Sequence, residues 1–328
     1  MGISKIGITA NFFYQRFRSY YHAFKVPSVW LPVALGREIG GGQFYVLSSM
    51  KLFAAPSRKQ AMALVRTLSE KELKLYCQIF QILEVTENDV IVDIGANIGY
   101  STLVFQKAFS RLAQDRTGKQ QIGNSLIQAF KSSPKFILVE PNPRNFRFIY
   151  FNLRMISGNK WLLLPFGLGK ETRIRTAGID SGYSWRGSKV FANSGLLSFS
   201  QINSFKHGTR IDLPVIDGKT FLDLLKEDPI RVRFCKIDTE GMEFEILEIL
   251  ETWFASGRTI FQIEVNPLFA DQTFKQNVLN LCTKNNYCVL VESDSGLTGS
   301  MEWYLVPINL RKLFLRVSFF IEYNSVNY

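Results

Sequence analysis

Between residues 90 and 306 short apolar runs recur, each closed by a turn and followed by apolar positions at helical spacing. Runs at 90–93, 136–140, 161–165, 234–238, 259–265, 287–291 and 303–306 predict strands. The first few are continuous rather than alternating, as in a parallel sheet covered on both faces. Between them the pattern predicts helices over 100–114, 143–156, 220–226 and 243–254. Strands alternating with helices make an α/β fold with a doubly wound sheet.

Two stretches interrupt this rhythm. Residues 115–131 lengthen the first crossover beyond the usual connection, and residues 170–218 form a long insert rich in glycine and serine. Within the insert "KVFANSGLLSFSQI" and "TRIDLPVI" have the composition of short strands. Long inserts in α/β enzymes serve as lids or substrate loops, or are decoration. Upstream, residues 1–87 read as a mostly helical N-terminal extension, clearest in "SRKQAMALVRTLSEKELKLYCQIFQIL". There Ser69 and Glu72 have the spacing of a capping box. Residues 308–328 read as a C-terminal tail beyond the 88–307 domain.

At 328 residues the chain suits one large α/β domain with additions, or two modest domains. No apolar run approaches bilayer-spanning length. The first residues lack the apolar core of a secretory signal, and Ile6 stands where a myristoylation motif needs Ser or Thr. The formal charge is +11, with much of the excess before residue 90 but in no run of like charge. A dispersed soluble surface explains it, as would an anionic membrane face, nucleic acid or an acidic acceptor. In the first 25 residues aromatics alternate with Arg and Lys, as in a membrane-surface helix or one packed on the main domain. Cys77, Cys235, Cys282 and Cys288 form no CxxC pair and no zinc spacing, which fits a reduced cytoplasmic compartment.

Candidate chemistry begins at "VIVDIGANIGYSTLVF", a strand, a glycine turn and a helix start. Gly95 and Gly99 permit close backbone approach to a ligand. Unlike a dinucleotide fingerprint, the turn has Asn97 at its centre and Asp93 just before it. A carboxylate there repels a pyrophosphate and suits a cationic ligand such as S-adenosyl-L-methionine. In "FILVEPNPRNF" Glu140 closes the next strand, where a carboxylate can accept ribose hydroxyls or cap a helix. Asn142 after it lines the adenine side or caps the helix at Pro143.

The motifs "VDIGANIGYSTL", "VEPNPRNFRFIYFNL", "KIDTEGMEFEIL" and "IEVN" resemble, in order and rough spacing, those of FkbM-type methyltransferases. That family is a branch of the class I S-adenosylmethionine-dependent methyltransferases. The resemblance spans residues 88–306 and implies a Rossmann-like, mostly parallel seven-stranded sheet with helices on both faces, its last strand antiparallel. It implies methyl transfer to oxygen, often a sugar hydroxyl. It implies that Asp93, Gly95, Ala96, Asn97, Gly99, Tyr100, Glu140, Pro141 and Asn142 hold the cofactor, with Gly167 and Leu168 against its adenine.

Methyl transfer to a hydroxyl needs in-line placement and removal of the hydroxyl proton. Asp238, Glu240 and Glu264 close predicted strands at the sheet edge where ligands bind, so each is a candidate base. Asp238 or Glu240 could instead cap the helix starting near Glu243. The three acids could also hold Mg²⁺, though no metal-ligand pattern is recognisable and no metal is expected. His207, in the insert, is a further candidate base; His22 reads as structural or solvent-facing. Nucleic acid is not the expected acceptor, because Asp238 and Glu240 stand where phosphate would approach. A fold that binds the cofactor without catalysis is the other alternative. Oligomeric state is not encoded in any motif.

Overall fold

The apolar runs assemble into one twisted sheet, described in a computed structural model that covers residues 35–36, 44–48, 51–55, 70–117, 133–153, 160–179, 197–198, 209–225, 231–239, 241–266, 270–292, 301–317 and 319–323. Its parallel core comprises β4 (Asp89–Ile94), β5 (Lys135–Val139), β6 (Trp161–Leu164), β11 (Arg231–Ile237) and β12 (Ile260–Val265). β14 (Met301–Pro307) pairs antiparallel with both β12 and β13 (Tyr287–Glu292). All six residues of β4 are buried, which explains why its sequence does not alternate.

The strand order is β6-β5-β4-β11-β12-β14-β13, with β15 (Phe320–Glu322) added antiparallel at the edge. The sheet therefore has eight strands where the resemblance implied seven. The extra strand comes from the C-terminal tail, led to the edge by helix α8 (Ile308–Leu315). Burial of Phe314 and Phe320 attaches both elements to the core.

Helices cover both faces. On one lie α1 (Glu70–Ile82), α2 (Tyr100–Thr117), α3 (Pro143–Leu153) and α8. On the other lie α4 (Gly218–Leu225), α5 (Glu243–Ile249), α6 (Glu251–Ala255) and α7 (Gln272–Lys284). The single helix expected over 243–254 is broken at Leu250, whose φ −90°, ψ 14° separates α5 from α6. Asp271 caps α7, its side chain accepting from the Phe274 N–H at 2.8 Å.

Helix α1 places Leu73, Tyr76, Ile79 and Phe80 into the core at helical spacing, and Leu83 follows just past its end. Tyr76 and Phe80 meet Phe105 of α2 and Phe234 of β11 edge-on, with centroids 4.7–6.1 Å apart. The mostly helical extension expected over residues 1–87 is described only in part, as α1 and the strands before it. Upstream of α1 the described residues form a three-stranded antiparallel sheet of β1 (Leu35–Gly36), β2 (Phe44–Ser48) and β3 (Lys51–Ala55). Aromatic and β-branched residues in "FYVLS", two positions from "KLFAA", favour a hairpin over a helix.

The described part of the insert forms a second small sheet. β7 (Gly167–Gly169) pairs parallel with β10 (Thr209–Asp217), which pairs antiparallel with β8 (Arg173–Ile179). β9 (Leu197–Ser198) closes its other edge. The expected strand in "TRIDLPVI" is β10. Most of residues 180–208, the crossover from 118 to 132, Ser69 and the first 34 residues lie outside the described residues.

Candidate active site

The turn after β4 is fixed from both sides. Val139 of β5 accepts from the Gly95 and Ala96 N–H groups at 2.9 and 3.1 Å, and the Asp238 N–H donates to Ile94 at 2.9 Å. Gly95 has φ +83°, and a Cβ there would lie 1.8 Å from the Asp238 carbonyl oxygen. Asn97 also adopts a left-handed φ, +52°, which Asn tolerates better than most residues. Its N–H donates to Glu140 at 2.7 Å.

Asp93 lies beneath the turn and is 2 % exposed. Its Oδ2 accepts from Thr102 at 2.8 Å, whereas Oδ1 has no hydrogen-bond partner among the described residues. Burial raises its pKa, against the pull of Lys236 and Thr102. Such an oxygen has the chemistry to receive a cationic or N–H-bearing ligand group.

Glu140, also buried, accepts from the N–H groups of Asn97 and Asn142 at 2.7 and 2.8 Å and from Asn145 Nδ2 at 3.3 Å. Burial pushes its pKa up to about 7 despite these donors. A carboxylate has about four acceptor positions, so one on Oε2 is left for a ligand hydroxyl. A second hydroxyl would have to displace the long bond from Asn145. The residues thus fit an adenosyl cofactor with a cationic amino-acid part.

Further along the sheet edge, acids gather around one lysine. Lys236 is 7 % exposed and its ammonium is bonded to the Asp238 carboxylate. Burial alone would lower the lysine's pKa, but Asp238, Glu302 and Asp93 outweigh it and hold the charge. Burial likewise opposes ionisation of Asp238, yet Lys236 keeps this carboxyl below its usual range. Asp238 also shares a side-chain hydrogen bond with Glu264.

Glu302 is the direct cross-strand neighbour of Glu264. It accepts from Gln262 Nε2 at 3.1 Å, and Gln262 in turn accepts from Tyr76 at 3.0 Å. Burial pushes Glu302 up to about 7, Lys236 opposes, and Asp238 and Glu292 add to the rise. Glu292 accepts from Tyr304 at 3.1 Å, and Glu72 of α1 from Tyr100 at 3.0 Å. Among the described residues no group of three or more His, Cys, Asp or Glu has an arrangement that could hold a metal ion.

The loop after β11 is braced from behind. Glu243 accepts from the Thr239 N–H at 2.8 Å, from Thr239 Oγ1 at 3.1 Å and from the Gly241 N–H at 3.0 Å. Met242 occupies the N-cap of α5 without a side-chain cap bond, so Asp238 does not cap that helix.

The structure brings Asp93, Gly95, Ala96, Asn97, Gly99, Glu140, Pro141 and Asn142 together at the ends of β4 and β5, with Asp238 and Glu264 on the next two strands. Tyr100 starts α2 and turns its hydroxyl to Glu72. Gly167 and Leu168 belong to β7, and the Leu168 side chain is part of the hydrophobic core. Glu240 and His207 lie outside the described residues. Lys236, Glu302 and Glu292 were not singled out from sequence, and Glu72 only as half of a capping box. Glu302 carried a usable signal: a strand antiparallel to the rest begins at the edge where the others end.

A mostly parallel sheet in which β14 runs reversed between β12 and β13, with a glycine turn after its central strand β4, defines a class I methyltransferase fold. The chain belongs to the FkbM methyltransferase family: the methyltransferase FkbM domain profile matches residues 93–288, more than half of its length. It is a methyltransferase, of a family that implies S-adenosylmethionine use. No curated protein matches the chain. Among solved structures it is similar to a methyltransferase FkbM from Methylobacillus flagellatus KT, with 14% identity over 75% of this chain and 54% of that one and a TM-score of 0.41. It thus spans about half the length of that protein. It is also similar to a precorrin-6y C5,15-methyltransferase from Geobacter metallireducens GS-15, with 12% identity, 71% and 86% coverage and a TM-score of 0.33. A third likeness is to M. jannaschii TYW2 in complex with AdoMet, with 11% identity, 80% and 84% coverage and a TM-score of 0.37.

Proposed function

We propose that the chain binds S-adenosyl-L-methionine at the turn from Gly95 to Gly99 and catalyses methylation of a hydroxyl on a sugar or glycoconjugate. The observation that carries this reading is the buried Asp93 oxygen, two residues before Gly95, that has no hydrogen-bond partner among the described residues. A cationic ligand group suits it and a pyrophosphate does not. The bound cofactor would supply a methyl group on a positively charged sulfur. Glu140 would accept a ribose hydroxyl at its remaining acceptor position, with Asn142 and Pro141 beside it. Any contact of Gly167 and Leu168 with adenine would come from backbone, since the Leu168 side chain is in the core.

The proton of the acceptor hydroxyl would pass to a carboxylate of the Asp238, Glu264 and Glu302 group. Glu302, at about 7, is best matched to take a proton near neutrality. Asp238, kept ionised by Lys236, suits orienting the hydroxyl. This acidic edge disfavours nucleic acid, and also an acceptor whose reacting end is anionic.

Calorimetry with S-adenosyl-L-methionine tests the reading. Asp93→Ala and Glu140→Ala are each expected to lose binding that the parent chain shows; unchanged affinity in both overturns it.

A further inference from the structure

The surface of α8 and β15 is unlike the rest. Of the large apolar side chains exposed among the described residues, half lie here: Ile308 at 52 %, Leu313 at 42 %, Leu315 at 36 % and Ile321 at 39 %. Phe314 points the other way, into the core. At 100° per residue, Leu315, Ile308, Lys312, Arg316, Asn309 and Leu313 follow one another around half of the helix. Two cations thus sit between apolar side chains. Arg311 is engaged with Glu322 of β15, whereas Lys312 and Arg316 have no carboxylate partner among the described residues.

We infer that this face docks on an anionic lipid bilayer. Apolar side chains flanking cations match a membrane interface, where the former enter the acyl boundary and the latter meet lipid phosphates. Nucleic acid would leave the leucines and isoleucines unpartnered. A two-fold contact with a second copy would bring Lys312 and Arg316 against their own equivalents. With one short helix and one edge strand the attachment is shallow and reversible.

The placement also has a consequence for the site. The Ile308 N–H bonds to Asn286 at the opposite edge of the sheet, and Phe320 pairs with Glu292 at the acidic edge. Helix α8 therefore runs toward the candidate active site, and its Leu315–Arg316 end brings that edge to the membrane. An acceptor carried on a lipid would be presented there. That last step rests on the proposed function; the membrane contact does not.

The test is co-sedimentation of the full chain with vesicles of phosphatidylcholine alone and of phosphatidylcholine with phosphatidylglycerol. Binding is expected only with the anionic lipid, and it should weaken as salt rises. K312E/R316E should cut binding by at least about twenty-five-fold, at about fivefold per cation removed. I308S/L313S/L315S should cut it comparably at low salt. All six positions of this arc are exposed, and unchanged circular dichroism and S-adenosylmethionine calorimetry would show that the variants stay folded. Binding by both variants equal to that of the parent overturns the inference, as does no binding by the parent. A parent dimer, abolished by the apolar substitutions and indifferent to vesicles, would assign the face to a second copy and also overturn it.

Discussion

Glu264 and Glu302 stand directly opposite each other in the β12–β14 ladder, at the acidic edge of the sheet. Like charges at such a position repel, and among the described residues it is Lys236, held on Asp238, that brings a positive charge into the group. The cluster therefore stores unfavourable electrostatics at the place where the proposed chemistry needs a proton acceptor.

One consequence is a pH dependence of stability. Glu302 titrates near 4.5 unfolded and at about 7 folded, so the folded state binds its proton more tightly. Its stabilising contribution is complete below pH 4.5 and is lost as pH rises through about 7. Glu140, also at about 7, adds to the same slope. Urea denaturation across pH 5 to 8 should show stability falling with pH, and Glu302→Gln should flatten the fall by on the order of 2 kcal/mol. An unaltered slope would refute the assignment.

Lys236 should matter in the opposite direction. Removing one partner of a buried ion pair leaves the other uncompensated, a cost of about 3–5 kcal/mol. Lys236→Met is expected to cost that much near pH 8 and distinctly less at pH 5, where the surrounding carboxyls take up protons. Chemical denaturation at the two pH values measures the difference.

Two glycines give a paired test of close approach. Gly95→Ala would drive a Cβ into the Asp238 carbonyl, and should cost at least about 3 kcal/mol and the cofactor affinity with it. Gly257 has φ +60° but open space around it, so Gly257→Ala should cost only about 1 kcal/mol. Equal melting temperatures for the two variants would contradict the packing argument.

Glu243 is expected to position the loop that carries Asp238. Glu243→Ala releases the Thr239 and Gly241 N–H groups, and should cost about 2–3 kcal/mol. Thr239→Val removes only the hydroxyl bond and should cost about 1 kcal/mol. Thermal unfolding would order the two, and the reverse order would argue against the brace.

The strand and helix pattern was legible because continuous apolar runs and 3.6-residue periodicity are local properties, and β4, β5, β11 and β12 follow them closely. Less legible were short or edge elements. β7 is buried but only three residues long, and β8, with exposed residues such as Ile174, has too little burial to leave a pattern. β15 is three residues long and exists because α8 delivers it to the edge of β13. The hairpin of β2 and β3 was hidden within a segment dominated by the helical signal of α1.

The sequence alone determined the α/β alternation, the glycine turn with Asp93 before it, and the acids that end β4, β5, β11 and β12, since each is a matter of residue type at short spacing. Only the tertiary structure decided what those groups face. Register across β12 and β14 set Glu302 against Glu264, far apart in the chain. Burial on one sheet face put Lys236 among the carboxylates, and reach of Glu243 back to Thr239 released Asp238 from helix capping. Such pairings depend on strand order and depth from solvent, which short-range spacing does not carry.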